Sequence, residues 1–166
     1  MGRNYVNTTR LYLKNYNKFK TAIINLNDDV EALEETLREN EPSAPIAKYG
    51  DEPAGGTNEL TVVERYATKR EVYYDRLIEA KKNIASLRRI IKKIDRALEC
   101  LEHTDSEIIK KYFFEHKTWR DIGQEYYFTE QWARTKGNKA VKQISEMIFG
   151  FEAMPEQLKL KFIFSL

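Results

Sequence analysis

The stretch TWRDIGQEYYFTEQWARTKGNKAVKQI, residues 118–144, decides how this chain is read. Thr118 opens a helix expected over residues 119–126, and Thr129 caps a longer one expected from Glu130 to about Phe149. A hydroxyl just ahead of a periodic run can accept from the free N–H groups of the first turn. Only Tyr127 and Phe128 separate the first helix from the second cap. Ala133, Gly137, Ala140, Val141, Ile144 and Ile148 recur at helical spacing and form an inward stripe. A short helix, a tight turn and a longer helix with small residues inside make a helix-turn-helix pattern. Upstream, Thr104-x-x-Glu107 has capping-box spacing and opens a third helix expected over residues 106–115, with Ile108, Ile109, Tyr112 and Phe113 along one face.

The other face of the longer helix points to function. Gln131, Arg134, Thr135, Asn138, Lys139 and Lys142 fall outward with Lys136 beside them, so residues 129–143 hold four basic side chains against one acid, Glu130. Long cations reach phosphates, and Arg, Asn and Gln can also hold two edges of a base. The helix N-terminus adds N–H groups and positive dipole. Thr129, Gln131, Trp132, Arg134, Thr135, Lys136, Asn138, Lys139 and Lys142 are therefore the candidate DNA-contacting residues. An ordinary solvated amphipathic helix is the competing reading. Trp119 and Trp132 are expected to pack the small domain, and Trp132 is also placed to touch a thymine methyl or a sugar.

Residues 101–144 resemble, without gaps, the C-terminal promoter-binding region of sigma-70-class factors. Thr118, Ile122, Thr129, Glu130, Arg134, Lys136, Lys139 and Ala140 stand at the matching places. The whole layout is similar to phage RinA/ArpU-type late-gene transcriptional regulators. That resemblance implies a phage or prophage activator that binds promoter DNA beside host RNA polymerase, with Arg134, Lys136 and Lys139 on the DNA. Three residues depart from the pattern. Tyr127 stands where such turns place Gly and would be strained at a positive φ. Gly123 replaces Ala, losing helix propensity but easing close approach. Gly137 replaces a large apolar residue, which predicts a bent or loosened helix there. No segment resembles the core-binding or promoter-melting part of a complete sigma factor.

Outward from this region, Val63, Tyr66, Arg70, Tyr73, Leu77, Ala80, Ile84, Leu87, Ile91, Ile94, Leu98 and Leu101 alternate spacings of three and four, with Arg70 the one polar intruder. Tyr12, Tyr16, Phe19, Ile23, Leu26, Val30, Leu33 and Leu37 do the same near the N-terminus. These are heptad seams, predicting helices on the order of 60 Å and about 45 Å long. Pro42, Pro45, Gly50, Pro53, Gly55 and Gly56 mark a connector between them. The fold class that follows is all-α: a coiled-coil hairpin of two long helices, then a three-helix domain, then a short tail. The segments are 1–40, 41–58, 59–103, 104–150 and 151–166. Apolar positions beside the seams (Leu11, Leu13, Ile24, Val62, Val72, Tyr74, Ile78 and Ile90) point to a homo-oligomer, by default a dimer.

Composition sets the outer bounds. The 166 residues carry 28 Lys+Arg against 26 Asp+Glu, a net charge of +2, with only 7 Gly and 4 Pro. That excludes collagen, a membrane-spanning segment and wholesale disorder. One cysteine cannot staple a fold, and the first ten residues lack a secretory core, so a cytoplasmic location is expected, which the phage-regulator resemblance implies is that of a bacterial host cell. Cys100-x-x-His103 lacks the further ligands of a zinc site, and no catalytic constellation, cofactor motif or phosphate-cradling loop appears, so no enzyme is expected. The basic residues Lys81, Lys82, Arg88, Arg89, Lys92, Lys93 and Arg96 form either a solvated helix face or an auxiliary phosphate-contacting stripe. Leu158, Leu160, Phe162, Phe164 and Leu166 alternate in a terminal tail that predicts a strand or an extended docking segment. The expected partners are double-stranded DNA, host RNA polymerase and a second copy of the chain. A phage DNA-packaging adaptor resembling a small terminase is the alternative.

Overall fold

The computed structural model describes residues 4–39 and 58–154. Most of the connector and the whole apolar alternation of residues 158–166 lie outside the described residues. What is described is all-α: α1 (Tyr5–Lys14), α2 (Tyr16–Glu39), α3 (Asn58–Cys100), α4 (His103–Ile109), α5 (Trp119–Glu125) and α6 (Glu130–Phe149). A π-turn over Lys110–Phe114 extends α4, and a 3-10 turn over Gly150–Ala153 ends α6. Among the described residues no helix is long and apolar enough to cross a membrane.

The first expected helix is interrupted at Asn15. Its backbone N–H and its side-chain amide both donate to the Leu11 carbonyl, at 3.1 and 2.8 Å. Asn side chains compete for backbone partners in this way and end helical runs. A further correction falls at residues 103–115. The residue capping α4 is Glu102, whose side chain makes no capping bond, so the Thr104–Glu107 capping box does not form. Glu107 pairs instead with Lys110 at 3.0 Å, which holds its carboxyl below the ordinary range. The π-turn then accommodates three consecutive half-buried rings. Tyr112 stacks on Trp119, Phe113 meets Tyr112 edge-on, and Phe114 stacks on Tyr16.

Packing divides the described residues into two compact units that cut across the long helices: residues 22–39 and 58–86 form one, and residues 4–21 with 87–154 the other. Each unit therefore draws on both long helices instead of taking one helix whole. In the first, α2 and α3 pack through Leu37, Leu77, Ala80 and Ile84, and Lys81 pairs with Glu34 at 2.7 Å. Arg70 is half-buried, leaning its guanidinium over the Tyr74 ring. Ile24, Val72, Tyr74 and Ile78 remain exposed, as flanking positions outside the seam.

The second unit holds the deeper core. Leu13, Tyr16, Ile94, Ala97, Leu98, Ile109, Ala140, Val141, Ile144 and Ile148 form one cluster, joining α1, the start of α2, the end of α3, α4 and α6. Leu13 lies off the heptad seam yet is fully buried, because α1 packs on α6. Burial raises the Tyr16 hydroxyl's pKa, and that hydroxyl donates to Asp95 at 2.6 Å. A smaller cluster of Ile108, Ile122 and Ala133, flanked by Tyr112, Trp119, Tyr126 and Trp132, ties α4, α5 and α6 together.

Candidate functional site

The α5–turn–α6 segment is built by local chemistry. Thr118 caps α5 with a complete capping box: its Oγ1 accepts from the Asp121 N–H at 3.2 Å, and the Asp121 carboxylate accepts from the Thr118 N–H at 3.2 Å. The Thr118 hydroxyl and N–H hold that carboxyl below its ordinary pKa. Thr129 caps α6 by accepting from the Trp132 N–H at 3.2 Å. Between them the chain reverses through Tyr126–Phe128, with the Phe128 N–H returning to the Gly123 carbonyl at 2.8 Å.

One glycine and one strained residue make this reversal tight. A Cβ at Gly123 would lie 2.9 Å from the Thr129 carbonyl oxygen, so Ala cannot fit without moving backbone. Tyr127 does adopt the left-handed conformation, φ +59°, that such a turn reserves for Gly, and its side chain is 96% exposed. The conformation carries a steric cost of roughly 1–2 kcal/mol for a residue with a Cβ. Gly137 does not loosen α6, which runs unbroken over Glu130–Phe149. A Cβ there would lie 2.4 Å from the Trp119 ring, so the missing side chain is the seat of the indole.

The outer face of α6 separates into groups. Gln131, Arg134, Thr135, Lys139 and Lys142 are exposed while Ala133, Gly137, Ala140, Val141 and Ile144 on the opposite stripe are buried. Arg134 forms an exposed i,i+4 pair with Glu130 at 3.2 Å. Thr129 is exposed and occupied as the cap. Lys136 is different: its ammonium sits 3.3 Å from the buried Asp105 and 3.8 Å from Glu102, so it neutralises a buried carboxylate of α4. Withdrawing Lys136 would strand that charge, which removes it from the outward set. Trp132 is half-buried, stacked on Phe128 and leaning on Tyr126, and it packs the domain.

Asn138 introduces residues that sequence reading missed. Although exposed, its Oδ1 accepts from Arg10 of α1 at 3.0 Å. Here α1 forms one wall of an open groove of about 1290 Å³, with the start of α5 and the Glu130–Arg134–Asn138 stripe of α6 opposite. Arg10, Lys14, Lys117, Arg120 and Arg134 line it against a single acid, Glu130. Lys117 is already engaged by Glu125 and Glu115, and Lys111 also bonds Glu125. Those lysines, Lys111 foremost, keep the Glu125 carboxyl below its usual range. Arg10 and Lys14 share a helix face at i,i+4 spacing, the one local sign that they act together. Compared with protein-family models, curated proteins and solved structures, the chain matches none of them.

Proposed function

We propose that this chain is a DNA-binding transcriptional regulator, an activator of phage late genes acting with host RNA polymerase. In this reading α5 and α6 act as a helix-turn-helix with α6 in the major groove. The observation that carries it is the exposed polar face of α6: Gln131, Arg134, Thr135, Lys139 and Lys142 are exposed, Arg134 within a surface pair with Glu130, and are backed by a fully packed stripe. A major groove admits one helix, whose N-terminal residues reach base edges. The contacts of α1 with α6 at Asn138 and Phe149 fall in the middle and C-terminal part of that helix, leaving Gln131, Arg134 and Thr135 ahead of them. Lys139 and Lys142 are suited to phosphates.

The test is a duplex selected from a random pool and a chain carrying Arg134→Ala and Lys139→Ala. Specific binding should weaken by roughly 1–3 kcal/mol for each base edge no longer held, with the helical spectrum unchanged. An unchanged gel-shift affinity refutes the assignment of α6. Mass in solution separates the packaging alternative: a monomer or dimer supports a regulator, whereas a large ring supports an adaptor.

A further inference from the structure

We propose that α1 supplies a second wall of the nucleic-acid interface, with Arg10 and Lys14 gripping the phosphate strand that borders the groove occupied by α6. The inference rests on the DNA-binding reading and extends it to a helix that lies outside the α5–α6 segment. Three observations support it, beginning with position. Arg10 bonds Asn138, and Tyr5 and Tyr12 pack their rings against Phe149, so α1 is seated directly beside α6. The major groove of a duplex is about 12 Å wide and is filled by one helix. A second helix in van der Waals contact with the first, at an axis separation of about 8–10 Å, cannot enter the same groove and comes to rest over a bordering phosphate strand.

Charge is the second observation. The chain as a whole is nearly balanced, 28 cations to 26 acids, yet the groove between α1 and α6 is lined by one acid and five cations, of which Lys117 alone is neutralised by acids outside the lining, Glu115 and Glu125. That acid, Glu130, is already paired with Arg134. The third is availability. Lys14 and Arg120, which line the groove, have no ion-pair partner among the described residues, and Arg10 is held only by a neutral amide oxygen. An exposed Arg134–Glu130 pair is weak enough to exchange for phosphate. An open groove along α6, with cations over a floor of Leu11, Phe113, Trp119 and Val141, fits a duplex backbone; it offers no enclosed pocket for a small ligand.

The experiment compares the full chain with Arg10→Ala/Lys14→Ala and with the charge-keeping Arg10→Lys/Lys14→Arg, on the selected duplex and on a mixed-sequence duplex of about three helical turns. Helical content and urea midpoint are recorded for each, so that a folding defect is seen directly. Each phosphate contact contributes about 0.9 to the slope of log affinity on log salt. The alanine pair should therefore flatten the slope by about 1.8 on both duplexes, leave sequence preference intact, and be rescued by the charge-keeping pair. A folded alanine pair with the parent's slope overturns the inference while leaving the α6 reading in place, provided Arg134→Ala/Lys139→Ala still loses specific binding. Absence of duplex binding by the unmodified chain overturns both. Loss of binding to a polyglutamate peptide with duplex binding untouched would assign the groove to an acidic protein segment and likewise overturn the inference.

Discussion

The two compact units bury their apolar side chains to different depths. In residues 4–21 and 87–154, Leu13, Ile94, Ile108, Ile109, Ile122 and Ile144 have no solvent exposure at all. Between residues 22 and 86 the best-buried described apolar side chains, Leu37, Leu77, Ala80 and Ile84, each keep 6–9%. Two helices sharing one stripe leave both flanks of the seam open to water. Closing a core takes a third and fourth element, which α1, α4 and α6 provide around the end of α3. Depth of burial thus follows the number of surrounding elements, whereas regularity of the heptads does not predict it.

Truncating one isoleucine in each unit is the sharpest way to break that contrast. Ile144→Ala should cost about 2–5 kcal/mol, because a rigid, fully enclosed site leaves a cavity. Ile84→Ala should cost less, since a two-helix seam can close over the gap or admit water. Equal shifts in urea midpoint would show that the seam is as tightly packed as the deeper core. Next in size are the glycines. Gly123→Ala and Gly137→Ala should each destabilise by about 1–3 kcal/mol through overpacking, against the gain of roughly 1 kcal/mol that Ala brings to an open helix. Stabilisation in thermal melts would mean that the turn at Thr129, or the Trp119 indole, moves aside freely.

A smaller effect of opposite sign is expected at Tyr127. Its side chain is almost wholly exposed and its φ is positive, so Tyr127→Gly should raise stability by up to about 1 kcal/mol. A loss on calorimetry would reveal a packing role for the ring. The smallest effect belongs to the shallower unit: Lys81→Ala removes an exposed ion pair with Glu34 and should leave the urea midpoint within error. A measurable drop there would show that residues 22–86 depend on charge where apolar depth is lacking.

How much of the site is legible in the sequence follows from how local each interaction is. Thr118 and Thr129 cap helices within three residues of themselves, and the stripe Ala133–Gly137–Ala140–Ile144 is a periodicity within one helix. Both can be read from a short window of sequence. The interruption at Asn15 is local as well, but whether Asn bonds the backbone or faces solvent depends on what packs nearby. Lys136 reads as a DNA contact because it lies beside outward residues; its partner Asp105 lies thirty-one residues earlier. Arg10 reaches Asn138 across 128 residues, and no pattern within either helix announces the pairing.

By itself the order of residues determined the all-helical class, the two caps, the inward stripe of α6, the tight turn before it and the cationic bias of its outer face, all of which act over one or two helical turns. Tertiary structure alone decided that α1 lies beside α6, that Lys136 is committed to Asp105, that Gly137 seats Trp119, and that the compact units cut across the long helices. The physical reason is range. Capping and periodicity are set by neighbours within a few residues, whereas the partner of a buried charge or an exposed arginine is chosen by whichever distant segment packs against it.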